Sequence, residues 1–186
     1  MIEVKTNQQQ NIRLLAVKAL SEINRNGAYA NIKLQEYLQK YHLSDLDRRF
    51  FTELVYGVIR RKNYLDAIIV FFAKRPIKKL SSMVVEILRL GIYQIIYMDK
   101  VPESAAVNES VKLAKKLTRG LSGFVNAVLR SVLRESDSIS IGELAKSEAE
   151  EISFIYNQPL WLVNFWIKEM GKDKTVDLCA WFNEQP

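Results

Sequence analysis

Histidine and cysteine occur once each in this 186-residue chain, as His42 and Cys179. A structural zinc site of the Cys/His type wants four such ligands, so none can form within one chain. A lone cysteine cannot close an internal disulfide, which fits a reducing, cytoplasmic setting. The seven glycines, at positions 27, 57, 91, 120, 123, 142 and 171, contain no G-x-G. A phosphate-cradling or dinucleotide-binding loop is therefore missing, and no cofactor-binding residue can be named. Long uncharged apolar runs are missing too: Val84–Met98 is broken by Glu86 and Arg89, so no segment suits a bilayer and no membrane partner is expected. The N-terminal Met1–Asn7 lacks the apolar stretch of a secretory signal. No catalytic and no metal-binding residue stands out.

Helical periodicity fills the space these absences leave. Ile12, Leu15, Ala16, Ala19, Leu20 and Ile23 recur at the i, i+3, i+4, i+7 spacing of one helix stripe, which Asn26-Gly27 ends. Leu34, Tyr37, Leu38 and Tyr41 suggest a second helix, and Ser44-x-x-Asp47 resembles a capping box ahead of Phe50, Phe51, Leu54, Val55 and Val58. Asn63 is placed to start a helix with Leu65, Ile68, Ile69 and Phe72 facing inward. Ser81 or Ser82 can cap the run from Val84 to Ile96, Pro102 precedes Val107, Val111, Ala114 and Leu117, and Gly120–Gly123 turns the chain into Phe124–Leu133. No strand alternation is sustained anywhere. The fold class expected is all-α, a bundle of about seven helices by residue 135 with a short helical connector beyond it. Residues 136–147 read as a polar linker, Glu148–Tyr156 as a short helix, and Pro159 and Gly171 bracket another before a last piece from about Asp173 to Phe182. All three tryptophans (161, 166 and 181) fall in this tail, suggesting a second packing surface. Domains are accordingly drawn as 1–135 and 136–186.

Charge divides at the same place. Residues 1–135 carry 23 Lys+Arg against 12 Asp+Glu, and residues 136–186 carry 4 against 9, so the overall +6 conceals a helical body at +11 and a tail at −5. Such a body points to a polyanionic partner. Lys112, Lys115, Lys116 and Arg119 fall at i, i+3, i+4, i+7, a row in which like charges repel and which reads either as a solvated face or as a polyanion grip. Arg130 and Arg134 extend it. Arg48-Arg49 and Arg60-Arg61-Lys62 form a second cluster, with Arg49, Glu53, Tyr56 and Arg60 on one helix face, suited either to ion pairing or to stacking on a single-stranded base. Lys74–Lys79 is a third, and Arg13, Lys18 and Arg25 dot the first helix. His42 reads as an exposed residue after a helix end, and Cys179 as a small core residue. The Gly120-x-x-Gly123 spacing matches the backbone clamp of KH domains but lacks that fold's strands, so it reads as a helix connection.

Three segments carry a resemblance: Asp47–Arg60 (DRRFFTELVYGVIR), Leu90–Pro102 (LGIYQIIYMDKVP), and Val107–Ala114 (VNESVKLA) with Gly123–Arg130 (GFVNAVLR). Together they resemble the NusB-like RNA-binding domain over residues 10–135. That domain occurs alone, as the transcription antitermination factor, and at the N-terminus of ribosomal RNA (cytosine-5) methyltransferases of the Sun/Fmu type. Tyr56–Arg60 and Val125–Arg130 are more similar to the methyltransferase branch, and Tyr156–Val163 with Trp166 and Gly171 resembles that branch's connecting segment. The resemblance implies a piece ending before an S-adenosylmethionine-dependent catalytic domain, with ribosomal RNA and that domain as partners. Cytosine-5 methylation uses two cysteines in motifs that Cys179 does not match, so no catalytic residue carries over. The RNA contacts implied are Arg13, Lys18, Arg60, Arg61, Lys112, Lys115, Lys116, Arg119 and Arg130. The alternative is a free-standing antitermination factor that binds RNA and a ribosomal protein.

Overall fold

The computed structural model describes residues 11–27, 29–135 and 138–184. Among the described residues the ordered elements are all helical, and no helix is long and apolar enough to cross a membrane. The chain divides into two compact units, residues 1–56 and 57–186, the division falling inside the third helix.

The first unit holds α1 (Ile12–Asn26), α2 (Ala30–Lys40) and most of α3 (Asp45–Arg60). The Asn11 side chain accepts a hydrogen bond from Leu14 N, and Gly27, at φ 62°, closes α1 in the left-handed region that glycine enters without strain. The expected stripe of α1 is buried throughout. Tyr37 of α2 stacks on Phe51 with ring centroids 5.8 Å apart, and its hydroxyl donates to Glu22 at 2.8 Å. That bond, outweighing partial burial, holds the Glu22 carboxyl below its usual range, with Lys33 adding to the effect. Burial and the Glu22 charge push the Tyr37 hydroxyl well above the ordinary tyrosine value. At the start of α3 the Ser44 hydroxyl accepts from Asp47 N and donates to its carboxylate.

The second unit is built on α5 (Ser82–Tyr97), which packs with α4 (Lys62–Ala73), α6 (Glu103–Leu117) and α7 (Ser122–Glu135). Ser81 is the cap of α5, its hydroxyl accepting from Val84 N at 3.3 Å. Every residue from Val84 to Gln94 is buried. The two charges inside that run survive burial by pairing. Arg89 forks onto Asp66 through Nε and Nη2, both at 2.7 Å, and reaches Glu86 through Nη1 at 2.7 Å. α4 begins at Lys62, with Arg61 rather than Asn63 at its cap and no side-chain capping bond, so Asn63 sits inside the first turn.

Two glycines set how closely the helices approach. A Cβ at Gly57 would lie 2.6 Å from Tyr93 Cε1 and closer still to Cζ and the hydroxyl. A Cβ at Gly91 would lie 2.9 Å from both Leu129 methyls and from Ser110 Oγ. The Tyr-Gly and Leu-Gly pairs in the sequence are therefore packing requirements at α3/α5 and α5/α7.

Beyond residue 135 the polar stretch contains a one-turn helix, α8 (Ile141–Leu144), held by a reciprocal capping box between Ser140 and Glu143. α9 (Glu148–Tyr156), α10 (Leu160–Met170) and α11 (Lys172–Asn183) follow. They enclose a small core of Ala149, Ile152, Val163 and Cys179, flanked by Leu160, Trp166, Ile167 and Val176. Cys179 is fully buried there, and desolvation raises its thiol pKa, so it is a packing residue. Trp166 stacks on Phe182 at 5.9 Å, whereas Trp161 and Trp181 remain 71% and 64% exposed.

Candidate RNA interface

α6 turns Ala106, Val107, Ser110, Leu113 and Ala114 inward, which fixes Lys112, Lys115 and Lys116 on its solvent side. The row differs from the expected one in two respects. Lys112 is paired with Glu109 at 2.6 Å, one turn back, so the row is partly compensated. Arg119 does not continue the helix. Thr118 N and its hydroxyl both donate to Ala114 O, at 2.9 and 2.7 Å, and the extended Thr118 backbone ends α6 at Leu117. Arg119 is exposed in the turn that Gly120, at φ 72°, leads into α7. Lys115 and Lys116 occupy the last turn of α6, where the negative end of the helix dipole favours cations.

On α7, Arg130 is exposed and Nε donates to Asn126 at 3.1 Å, while Arg134 pairs with Glu135. Gly123 lies inside α7, so the chain reverses over Thr118–Leu121 rather than across the whole Gly-x-x-Gly span. Arg60, at the end of α3, is exposed and donates through Nη2 to Asn183 at 3.2 Å. Arg61 is half-buried, its guanidinium 4.3 Å from the centroid of Tyr97 and 5.8 Å from that of Tyr93. Tyr93 and Tyr97 stack on each other at 5.4 Å.

In the first unit Lys18 and Arg25 project outward from α1, and Arg13 lies over the Phe50 ring at 5.0 Å. Arg48, Arg49, Glu53 and Tyr56 are exposed along α3, and His42 is exposed just after α2. The second unit thus brings together the α6 lysines, Arg119 and the α7 arginines on consecutive elements, and Arg60 and Arg61 at the α3–α4 junction. Lys62, a member of the Arg60-Arg61-Lys62 cluster but not one of the implied RNA contacts, is half-buried beside Arg61. Burial first, and then the Arg89 charge, lower its pKa, while Asp66 and Glu86 oppose the shift.

The described elements make this an all-helical protein with cations exposed on its helix faces. Residues 10–134 match the NusB family, and the chain belongs to it. It is 41% identical over 184 residues to the probable ribosomal RNA small subunit methyltransferase B of Synechocystis sp., an alignment covering 94% of this chain and 39% of that protein. It is 30% identical over 131 residues to the transcription antitermination protein NusB of Finegoldia magna, covering 69% of this chain and 96% of that protein. A solved structure of the antitermination factors NusB and NusE in complex with dsRNA shares the fold at TM-score 0.60 and 23% identity, over 66% of this chain and 93% of that one. The chain spans less than half the length of the first curated relatives it matches.

Proposed function

We propose that this chain is the RNA-binding portion of a ribosomal RNA small-subunit (cytosine-5) methyltransferase and works with a catalytic domain outside these residues. What carries the reading is the extent of the similarity. The methyltransferase relative aligns with 94% of the chain, whereas the antitermination relative aligns with 69% although nearly all of that protein is used. The residues that distinguish the two are those of the acidic, helical tail. The antitermination reading leaves α9, α10 and α11 without a counterpart and is the weaker of the two.

On this reading the surface and half-buried cations hold phosphates while recognition rests on RNA shape and unpaired bases. Lys112, Lys115, Lys116 and Arg119, with Arg130, form one grip; Arg60 and Arg61 form another; Arg13 and Lys18 serve the first unit. S-adenosylmethionine supplies the methyl group in this class of enzyme. On this reading its binding and both cysteines of the chemistry fall to the catalytic domain. That domain also gives the exposed Trp161 and Trp181 a packing partner. The cytoplasm is where ribosomal RNA would be met.

Filter binding of a small-subunit ribosomal RNA hairpin to this chain and to its Lys112→Glu/Lys115→Glu/Lys116→Glu variant tests the reading. A loss of about tenfold or more, equivalent to about 1.4 kcal/mol, is expected. Equal affinity of the two proteins would remove the α6 face from the interface, and absence of binding by the native chain would overturn the function.

A further inference from the structure

The α3–α4 junction and the α9–α10 turn border an open cavity of about 320 Å³, whose lining includes Arg60, Arg61, Lys62, Asn63, Asn157 and Gln158. Three consecutive cations contribute to it and no carboxylate does. The wall is built rather than incidental. Asn63 Nδ2 donates to Ser153 Oγ at 3.2 Å, and Ser153 Oγ donates in turn to Gln158 O at 2.6 Å, so a nearly fully buried serine pins the turn to the first turn of α4. Asn157 adopts a left-handed conformation, φ 54°, one of the few non-glycine residues that does so readily, and this bends the chain out of α9 before Pro159 opens α10. Tyr64 packs on Phe154 at 5.7 Å behind the cavity. Arg60 is steadied by Asn183 and Arg61 by the Tyr97 ring.

We propose that this cavity receives one unpaired nucleotide of an RNA strand, its phosphate against Arg60 and Lys62 and its base edge against the amides of Asn157 and Gln158. The inference rests on the RNA-binding reading above and gives the acidic tail a part in it. Guanidinium and ammonium groups donate several hydrogen bonds to phosphate oxygens, and carboxamides present the paired donor and acceptor that a base edge requires. The volume lies at the lower end of small-molecule sites, which suits one nucleotide and excludes a duplex. Unpaired bases in loops and bulges can be splayed out into such a site, whereas bases within an A-form helix cannot. A phosphate would also offset the penalty that burial and Arg89 impose on the Lys62 charge.

The test uses the whole chain, a single-stranded RNA 12-mer carrying 4-thiouridine, a 12-base-pair duplex of the same sequence, cytidine 5′-monophosphate, and a poly-glutamate 12-mer. Anisotropy titrations compare the native protein with Arg60→Gln/Lys62→Gln and with Gln158→Ala, the second chosen because it keeps every charge. Melting curves confirm that each variant folds. The proposal expects single-strand affinity to fall about tenfold in the double variant and about threefold in Gln158→Ala, with duplex affinity changing less than about twofold. Photo-crosslinks should fall within residues 59–64 or 153–159. Unchanged single-strand affinity in both variants, with crosslinks confined to α6 and α7, would overturn the cavity while leaving the function standing. Equal affinity for the mononucleotide and the 12-mer would make this a free-nucleotide site, and equal affinity for poly-glutamate a general anion site; either overturns the proposal. No RNA binding by the native chain would overturn both readings.

Discussion

Replacing Gly57 with alanine tests the packing beneath the basic junction. In an open helix the change would gain about 0.5–1 kcal/mol, because glycine loses more backbone entropy on folding. Here the added methyl would meet the Tyr93 ring, 2.6 Å from Cε1 and nearer to two other atoms, well inside contact distance. The ring has little room to retreat. Tyr93 is 2% exposed, Tyr97 stacks on it at 5.4 Å, and Arg61 lies on the same pair of rings. Overpacking of this kind costs about 1–3 kcal/mol and occasionally more, so the upper part of that range less the entropy gain leaves a net loss of about 2 kcal/mol. For a chain of this length that corresponds to a fall of about 4–8 °C in Tm. Two further glycines calibrate the expectation. At Gly91 the obstacles, 2.9 Å away, are the Leu129 methyls and the Ser110 hydroxyl, both fully buried, so alanine should also destabilise, by about 1 kcal/mol because the overlap is smaller than at Gly57. At Gly123 nothing lies within 4 Å, and alanine in the first turn of α7 should add a few tenths of a kcal/mol. Urea unfolding followed by circular dichroism measures all three. A Gly57→Ala protein as stable as the native one, or three variants shifted equally, would refute the close approach of α3 and Tyr93.

Arg89→Met leaves Glu86 and Asp66 without their buried cation and should cost about 3–5 kcal/mol by the same assay. Ser81→Ala removes the α5 cap and should cost about 1 kcal/mol, measured by thermal melting. Ile152→Ala opens the small core of the tail and should cost about 2–5 kcal/mol, whereas Trp161→Ser, on the exposed face of α10, should stay within about 0.5 kcal/mol. The depressed Glu22 pKa means that, as pH falls below about 5, the unfolded chain takes up a proton before the folded one does; stability therefore drops. Glu22→Gln should flatten that acid limb in urea titrations run across pH 3–6, and an unchanged slope would count against the Tyr37–Glu22 bond.

Local pattern carried α1 and α9 to their observed ends, because an Asn or Ser cap and a Gly or Asn stop fix where a helix begins and ends. Burial of the α6 stripe likewise placed Lys112, Lys115 and Lys116 outside. Periodicity failed where the local backbone departs from it. Thr118 turns extended, with both its N–H and its hydroxyl on the Ala114 carbonyl, and α6 stops before Arg119. Ser140-x-x-Glu143 was present as a capping box, but α8 is too short to show an apolar period. The half-burial of Lys62, legible only as a member of the Arg60-Arg61-Lys62 cluster, and the cavity beside it could not be read from spacing. Their environment comes from Ser153 meeting Asn63 across 90 positions, a pairing that depends on how the tail helices fold back.

The dependence of RNA binding on salt tests the central claim most directly. If the cations on α6, α7 and the α3–α4 junction neutralise about six phosphates, log K for a ribosomal RNA hairpin should fall against log salt with a slope of about −4 to −5. The Lys112→Glu/Lys115→Glu/Lys116→Glu protein should show a slope shallower by about 2. A native slope near zero, or an identical slope in the variant, would contradict a phosphate-gripping role for these faces.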